Sequence, residues 1–129
     1  VVDFGTAITY DANSPVGEYL GGIIAPGVEI SMEALTQRAA KLPRIDLEEP
    51  RQLIGKSTVE AIRSGVIYGF SGQVDHLVGM IQDELGDDLD VIATGGLAEH
   101  IVPYCDSIDV VDGELTLKGL RLIHDLNQE

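Results

Sequence analysis

From Thr58 to Leu85 the chain places Val59, Ile62, Val66, Phe70, Leu77, Ile81 and Leu85 at steps close to the ~3.6 residues of a helical turn. Thr58 reads as the N-cap and Gly86 as the stop. At about 1.5 Å per residue the helix spans roughly 40 Å, a length that dictates much of what can surround it. Within it Gly65, Gly69 and Gly72 share one face. Each interior glycine costs on the order of 1 kcal/mol against alanine, so close approach of another backbone is the expected compensation. That backbone is either the sheet of the same domain or the same helix in a second subunit.

The other dense stretch is the opening, Val1-Val2-Asp3-Phe4-Gly5-Thr6-Ala7-Ile8-Thr9-Tyr10-Asp11: an apolar entry, a glycine turn and a β-rich return. Alternation puts Asp3, Gly5, Ala7, Thr9 and Asp11 on one face and Phe4, Thr6, Ile8 and Tyr10 on the other, unless the turn at Gly5 breaks the register. A carboxylate at a strand end can hold a hydrated cation, and a glycine lets backbone N–H groups approach phosphate oxygens. Thr6 and Thr9 add hydroxyls. An ordinary hairpin with solvated Asp3 and Asp11 has the same pattern.

Ala12 to Val16 is turn chemistry and Gly17 to Ile24 resumes an extended pattern, which gives three antiparallel strands in succession. After Ala25-Pro26-Gly27, the residues Val28, Met32, Leu35 and Ala39 mark a helical face that ends before Pro43. Leu42 to Gly55 reads as a connecting loop. Beyond the long helix, Asp90 to Thr94 is a short strand running into Gly95-Gly96, and Leu97 to Val102 is a helical segment closed by Pro103. A helix N-terminus behind a glycine turn offers N–H groups to a nucleotide's phosphate or ribose oxygens, although such corners also occur without ligands. Ile108 to Val111 is a further strand, Asp112-Gly113 a turn, and Thr116 the cap of a last helix with Leu117, Leu120, Ile123 and Leu126 inward. The expected class is α/β: three antiparallel strands followed by alternating helices and strands, in one domain.

Eight basic and 22 acidic residues leave a formal charge of −14, which argues against nucleic acid and against an anionic membrane surface. A phosphate site on such a chain must rely on backbone donors, cations or basic groups from elsewhere. The single Cys105 rules out an intrachain disulfide and fits a reducing compartment, the cytoplasm by default. No apolar run approaches the length of a membrane span. His76, His100 and His124 lack the partners of a zinc site, and Asp83, Glu84, Asp87 and Asp88 read as a solvated helix end. No Walker loop, Gly-x-Gly-x-x-Gly or Gly-x-Ser-x-Gly occurs. The chain opens inside a strand and without methionine, as a piece of a longer protein would.

Taken in order, Asp3 to Asp11, Gly21-Gly22-Ile23-Ile24-Ala25-Pro26-Gly27, Thr58 to Gly65 with Gly69, Thr94-Gly95-Gly96 and Leu115 to Leu120 resemble the type III pantothenate kinases over nearly the whole chain. The resemblance implies the C-terminal half of an actin-like (ribonuclease H-like) kinase with ATP between two related halves. It implies phosphorylation of pantothenate with ATP, Mg2+ and a monovalent cation, K+ or NH4+. It places Asp3 on the cation, Gly5 and Thr6 on the phosphates, Thr94, Gly95 and Gly96 at the adenosine end, and Thr58 and Gly22 on pantothenate. Thr58 would act toward the neighbouring subunit of a homodimer joined through the 58–85 helix. The family's Asp-x-Gly-Asn-Thr turn and its Gly-x-Asp-Arg motif, which carries the catalytic aspartate, are absent, so the general base is expected in an N-terminal half outside this chain. Ser57 stands where the family usually shows asparagine.

Overall fold

Among the described residues five strands form one mixed sheet. The computed structural model describes residues 1–39, 45–86 and 88–128. β1 (Val2–Phe4) turns at Gly5 into β2 (Ala7–Asn13), which pairs with β3 (Tyr19–Pro26), both pairings antiparallel. β4 (Ile92–Thr94) joins the other side of β1 in parallel, and β5 (Val110–Val111) follows it, also parallel. Among the described residues the helices are α1 (Val28–Arg38), α2 (Thr58–Leu85), α3 (Ala98–Ile101), continued by a 3-10 turn at Val102–Tyr104, and α4 (Leu115–Leu126). The chain is thus α/β.

The register explains the core. Phe4 pairs with Ile8 and Val2 with Tyr10, so these four point to one face and are buried. The next row carries Thr9, Asp3 and Thr94 side by side on the opposite face. The buried face meets Val66, Val74 and Val78 of α2, together with Val28, Ala93 and Ile101. Tyr10 adds a polar tie, its hydroxyl donating to Gln73 Oε1 at 3.0 Å, and burial pushes that phenol up to about 12.

Several boundaries differ from the sequence reading. Asn13 still belongs to β2, β3 runs on to Pro26, and α1 stops at Arg38; Leu42, Pro43 and Asp87 lie outside the described residues. Leu35 is exposed rather than inward. Ser57, not Thr58, caps α2, its hydroxyl accepting from the Glu60 N–H at 3.3 Å, while Gly86 ends the helix in the left-handed region at φ 71°. Pro103 sits inside the 3-10 turn instead of closing the segment. Thr116 is not a cap: α4 begins a residue earlier, and the turn before it is held by Asp112 Oδ1, which accepts from the Glu114 N–H at 3.0 Å.

The deepest residues of α2 are Ser64, Ile67, Ser71, Val74 and Val78, and the spacing of large apolar residues had put the contact line to one side of them. Serine tolerates this burial because its hydroxyl finds a backbone carbonyl, Gln52 O for Ser64 and Tyr68 O for Ser71. The helix therefore turns Gly65, Gly69 and Gly72 away from the sheet. All three are exposed, and a Cβ on any of them meets nothing within 4 Å among the described residues. Of the two compensations open to the sequence, packing on the chain's own sheet is removed. In dilute, monomeric chain, Gly72→Ala should raise stability by about 1 kcal/mol in thermal melts; a lowered midpoint would mean that the face is already occupied.

Candidate functional site

At the C-terminal end of β1 two glycine turns close around one carboxylate. Gly5, in the β1–β2 turn, donates its N–H to Ala7 O at 3.1 Å, and its missing Cβ would lie 3.5 Å from Asp3 Oδ1. Gly95, directly after β4, has φ +99°, and a Cβ there would stand 2.6 Å from both Asp3 Oδ1 and Phe4 N. Only glycine lets the β4–α3 corner cross the end of β1 so closely. Leu97 completes the crossing by donating its N–H to Phe4 O at 3.4 Å.

An open cleft of about 480 Å3 begins at this crossing. Asp3, Thr94, Gly95 and Gly96 line one side, with Glu99, Val111, Gly113 and Thr116 around the rest. The structure thus brings together four of the residues singled out in the sequence. Gly5 and Thr6 occupy the adjoining turn without lining the cleft. Gly22 lies on edge strand β3 opposite Asp11, where Asp11 Oδ1 accepts from the Tyr19 hydroxyl at 3.2 Å. Thr58 lines a different opening of about 570 Å3 between α1 and α2, beside Ala61, Ile62, Gly65 and Phe70.

Two side chains of the cleft escaped the sequence reading. Glu99 follows the glycine turn in the four-residue α3, and Thr116 lines the cleft where its position predicts a helix cap. A third omission, Asp75 of α2, accepts from the N–H groups of Asp106 and Ser107 at 3.0 Å and from the Ser107 hydroxyl at 2.7 Å. It pins the segment leading to β5, and so the far wall of the cleft. A lone acid 31 residues from its partners leaves no local signal.

The chemistry of the lining decides what fits. The α3 N-terminus offers less than the sequence promised, because the N–H of Leu97 goes to Phe4 O and that of Ala98 to Gly95 O. Glycine surface with the hydroxyls of Thr94 and Thr116 suits the uncharged sugar and base of a nucleotide. The charged lining residues are the acids Asp3 and Glu99, so phosphates would have to be accompanied by cations. Asp3 can be one ligand of such a cation. Among the described residues no group of three or more His, Cys, Asp or Glu side chains is placed to hold a metal by itself. Near the rim Lys118 donates to Asp112 at 2.7 Å, which holds the Asp112 carboxyl below the usual range and raises the lysine. Burial pushes the Cys105 thiol up to about 12, so at neutral pH it is no nucleophile.

The family profile for type III pantothenate kinase matches residues 1–80. The chain belongs to the type III pantothenate kinase family. Type III pantothenate kinases of Thermobifida fusca and Streptomyces griseus are 54% and 55% identical to it, each over 98% of this chain but over 50% and 49% of their own length. That of Anaeromyxobacter is 53% identical over 99% of this chain and 50% of its own. The chain therefore spans about half the length of the curated relatives it matches. Among solved structures it is similar to a Campylobacter jejuni protein provisionally described as a Baf family transcriptional activator, with a TM-score of 0.64 and 25% identity over 98% of this chain and 56% of that one. Among the described residues no helix is long and apolar enough to cross a membrane.

The Gly95 crossing yields a paired expectation. Gly95→Ala should cost about 2 kcal/mol or more in denaturant unfolding, because the methyl meets the Phe4 backbone and the φ is unfavourable. Gly96→Ala, whose Cβ meets nothing within 4 Å among the described residues, should stay within about 0.5 kcal/mol of the parent.

Proposed function

We propose that this chain is the C-terminal half of a cytoplasmic, actin-like pantothenate kinase, which transfers the γ-phosphoryl group of ATP to the pantothenate hydroxyl and yields phosphopantothenate. The observation that carries the reading is the meeting of Asp3 with Thr94, Gly95 and Gly96 in one cleft, in a member of this family. Phosphoryl transfer asks a protein mainly for positioning and for neutralisation of charge, with a carboxylate to take the hydroxyl proton. Here Asp3 serves the cation side, the Gly5–Thr6 turn faces the phosphates and Thr94 to Gly96 seat the adenosine. Bound Mg2+ and K+ or NH4+ would supply the positive charge that a chain of −14 lacks. The proton acceptor belongs to the other half, since the Gly-x-Asp-Arg motif that carries the family's catalytic aspartate is absent from this chain.

The exposed glycine face of α2 supports a homodimer through this helix. Thr58 opens that face beside a mostly apolar cleft, well placed to reach pantothenate bound by the neighbouring subunit, with Gly22 on the substrate side of its own. One observation favours a second reading, a regulatory relative without catalysis: the likeness to the Campylobacter jejuni protein. The charge of −14 speaks against direct contact with DNA.

Turnover separates the two. The chain alone should show no pantothenate phosphorylation, and joining it to the other half of a relative should restore it; a joined protein that binds ATP but never turns over would support the regulatory reading. In the active protein Asp3→Asn should lower kcat and weaken the response to K+, since it removes a charge at constant size. An unchanged K+ response would make Asp3 structural.

Gly69→Leu tests the assembly. Each added side chain meets its own image across a two-fold axis, so the protein should move toward monomer by light scattering while its melting behaviour as a monomer is kept. Early unfolding at unchanged mass would refute the interface.

A further inference from the structure

α1 and α4 are held very differently. α4 contains no buried residue, and Leu117, Leu120, Ile123 and Leu126 are exposed, contrary to the inward packing expected for them. α1 is anchored from its first residue, since Val28 is buried in one core with Phe4 and Ile8. The residue before it, Gly27, is buried as well. Its φ of −69° and ψ of 162° are open to any residue, so nothing in the backbone angles asks for glycine. The neighbouring turn does ask for it. A Cβ on Gly27 would collide with the Thr6 carbonyl and stand 3.1 Å from Gly5 O. Pro26 pairs with Ala7, and this register carries the end of β3 directly onto the inner side of the β1–β2 turn. Gly5 and Thr6 are exposed, so their outer side is free.

We propose that Gly27 is a positioning residue for phosphoryl transfer: its bare backbone sets the Gly5–Thr6 turn from behind, and with it the place where the turn meets the nucleotide's phosphates. The inference rests on the reading of that turn as the one that faces the phosphates. Which partner yields to a side chain at position 27 follows from how each is held. Gly27 is tied down by the buried Val28 and by its own carbonyl, which accepts from the Ser31 N–H at 3.0 Å in the first turn of α1. The other partner is two exposed residues, closed by the Gly5 N–H on Ala7 O at 3.1 Å. The turn is therefore what moves. Its far side borders the carboxylate, since a Cβ on Gly5 would lie 3.5 Å from Asp3 Oδ1, so one shift disturbs the phosphate side and the cation side together. The adenosine end is built on a different contact, the crossing of Gly95 over Asp3 and Phe4. A misplacement of about 1 Å can cost on the order of 100-fold in a reaction that depends on alignment.

The test uses a full-length protein in which this chain replaces the matching half of the Thermobifida fusca relative, titrated by calorimetry with the non-hydrolysable ATP analogue AMPPNP, Mg2+ and K+, and separately with adenosine. Gly27→Ala should weaken AMPPNP about tenfold or more and leave adenosine within about twofold, because only the phosphates meet the displaced turn. In turnover it should raise the KM for ATP and lower kcat while the KM for pantothenate stays at the parent value. Gly55→Ala controls for crowding alone: a Cβ there would collide with Glu60 and Ala61 in the first turn of α2, so it should lower the melting temperature and keep the AMPPNP-to-adenosine ratio. An unchanged ratio in folded Gly27→Ala overturns the proposal, as does a Gly55→Ala protein that loses AMPPNP equally. Should Gly27→Ala fail to fold, Pro26→Ala decides, since it frees the backbone ahead of Gly27 and adds no bulk: the ratio should fall about threefold, and an unchanged ratio overturns the proposal. Turnover is read separately. A parent that binds AMPPNP and forms no phosphopantothenate removes the kinase reading and leaves the ratio to judge Gly27, and a parent that turns over while Gly27→Ala keeps its ratio does the reverse.

Discussion

The backbone of Gly95 passes over the end of β1 at a distance that leaves no room for a single carbon. Everything at the candidate site follows from that crossing. It sets β4 beside β1, so that Thr94 falls in register with Asp3, and it starts α3 where Leu97 can bond to Phe4. It also holds the Asp3 carboxylate against the Gly5 turn from the other side. A side chain at this corner would have to push the strands apart, and the parallel pairing of β1 with β4 extends over only two registered residues. So short a pairing has little to spare, which is why a backbone contact rather than a side-chain network governs the site.

The second organising element is a helix with two working sides. One face of α2 buries Val74 and Val78 in one core with the apolar face of the hairpin, and the other presents a bare run of glycines. The first turn of α2 is also where the long connection is fastened: Glu60 accepts from the Arg51 N–H and from Arg63, and Arg63 reaches Glu48 and the Asp46 carbonyl. Past the middle of the helix Asp75 holds the segment before β5. One rigid rod therefore touches the Thr58 opening and the support of the cleft at Asp3 alike. In the proposed dimer, contact between two such rods would set the distance between a subunit's cleft and the threonine of its neighbour.

Much of this was legible in the residues. Alternation through Phe4, Ile8 and Tyr10 marked the buried face of the hairpin, while Thr6, counted on the same face, stands exposed in the turn that breaks the register. The C-terminal end of α2 was readable from Gly86, whereas its cap is Ser57, one residue before the Thr58 that the pattern suggests. The buried face of the helix was not readable, because Ser64 and Ser71 look like surface residues until their carbonyl partners are known. The meeting of Asp3 with Thr94 to Gly96 joins positions some ninety residues apart; each was conspicuous by residue type, but their adjacency depends on β4 choosing β1 as a neighbour. Resemblance to a family supplied that link before the strands did. For α4 the pattern showed a face that wants burial and was silent on what buries it.

Charge completes the account of Asp3. A carboxylate can act at a phosphoryl-transfer site as a base or as a ligand for a cation, and the two roles need different surroundings. A base has to sit within reach of the acceptor hydroxyl and give up its proton again, whereas a cation ligand has only to hold its oxygens still. Asp3 lies between two backbone turns, shares its cleft with Glu99 and belongs to a chain of −14. In that field a cation is drawn in readily and a bare polyphosphate is not. The acidity that first seems wrong for a nucleotide site would, under the proposed function, select the ligand's companion ions, and Asp3 would serve them rather than the proton.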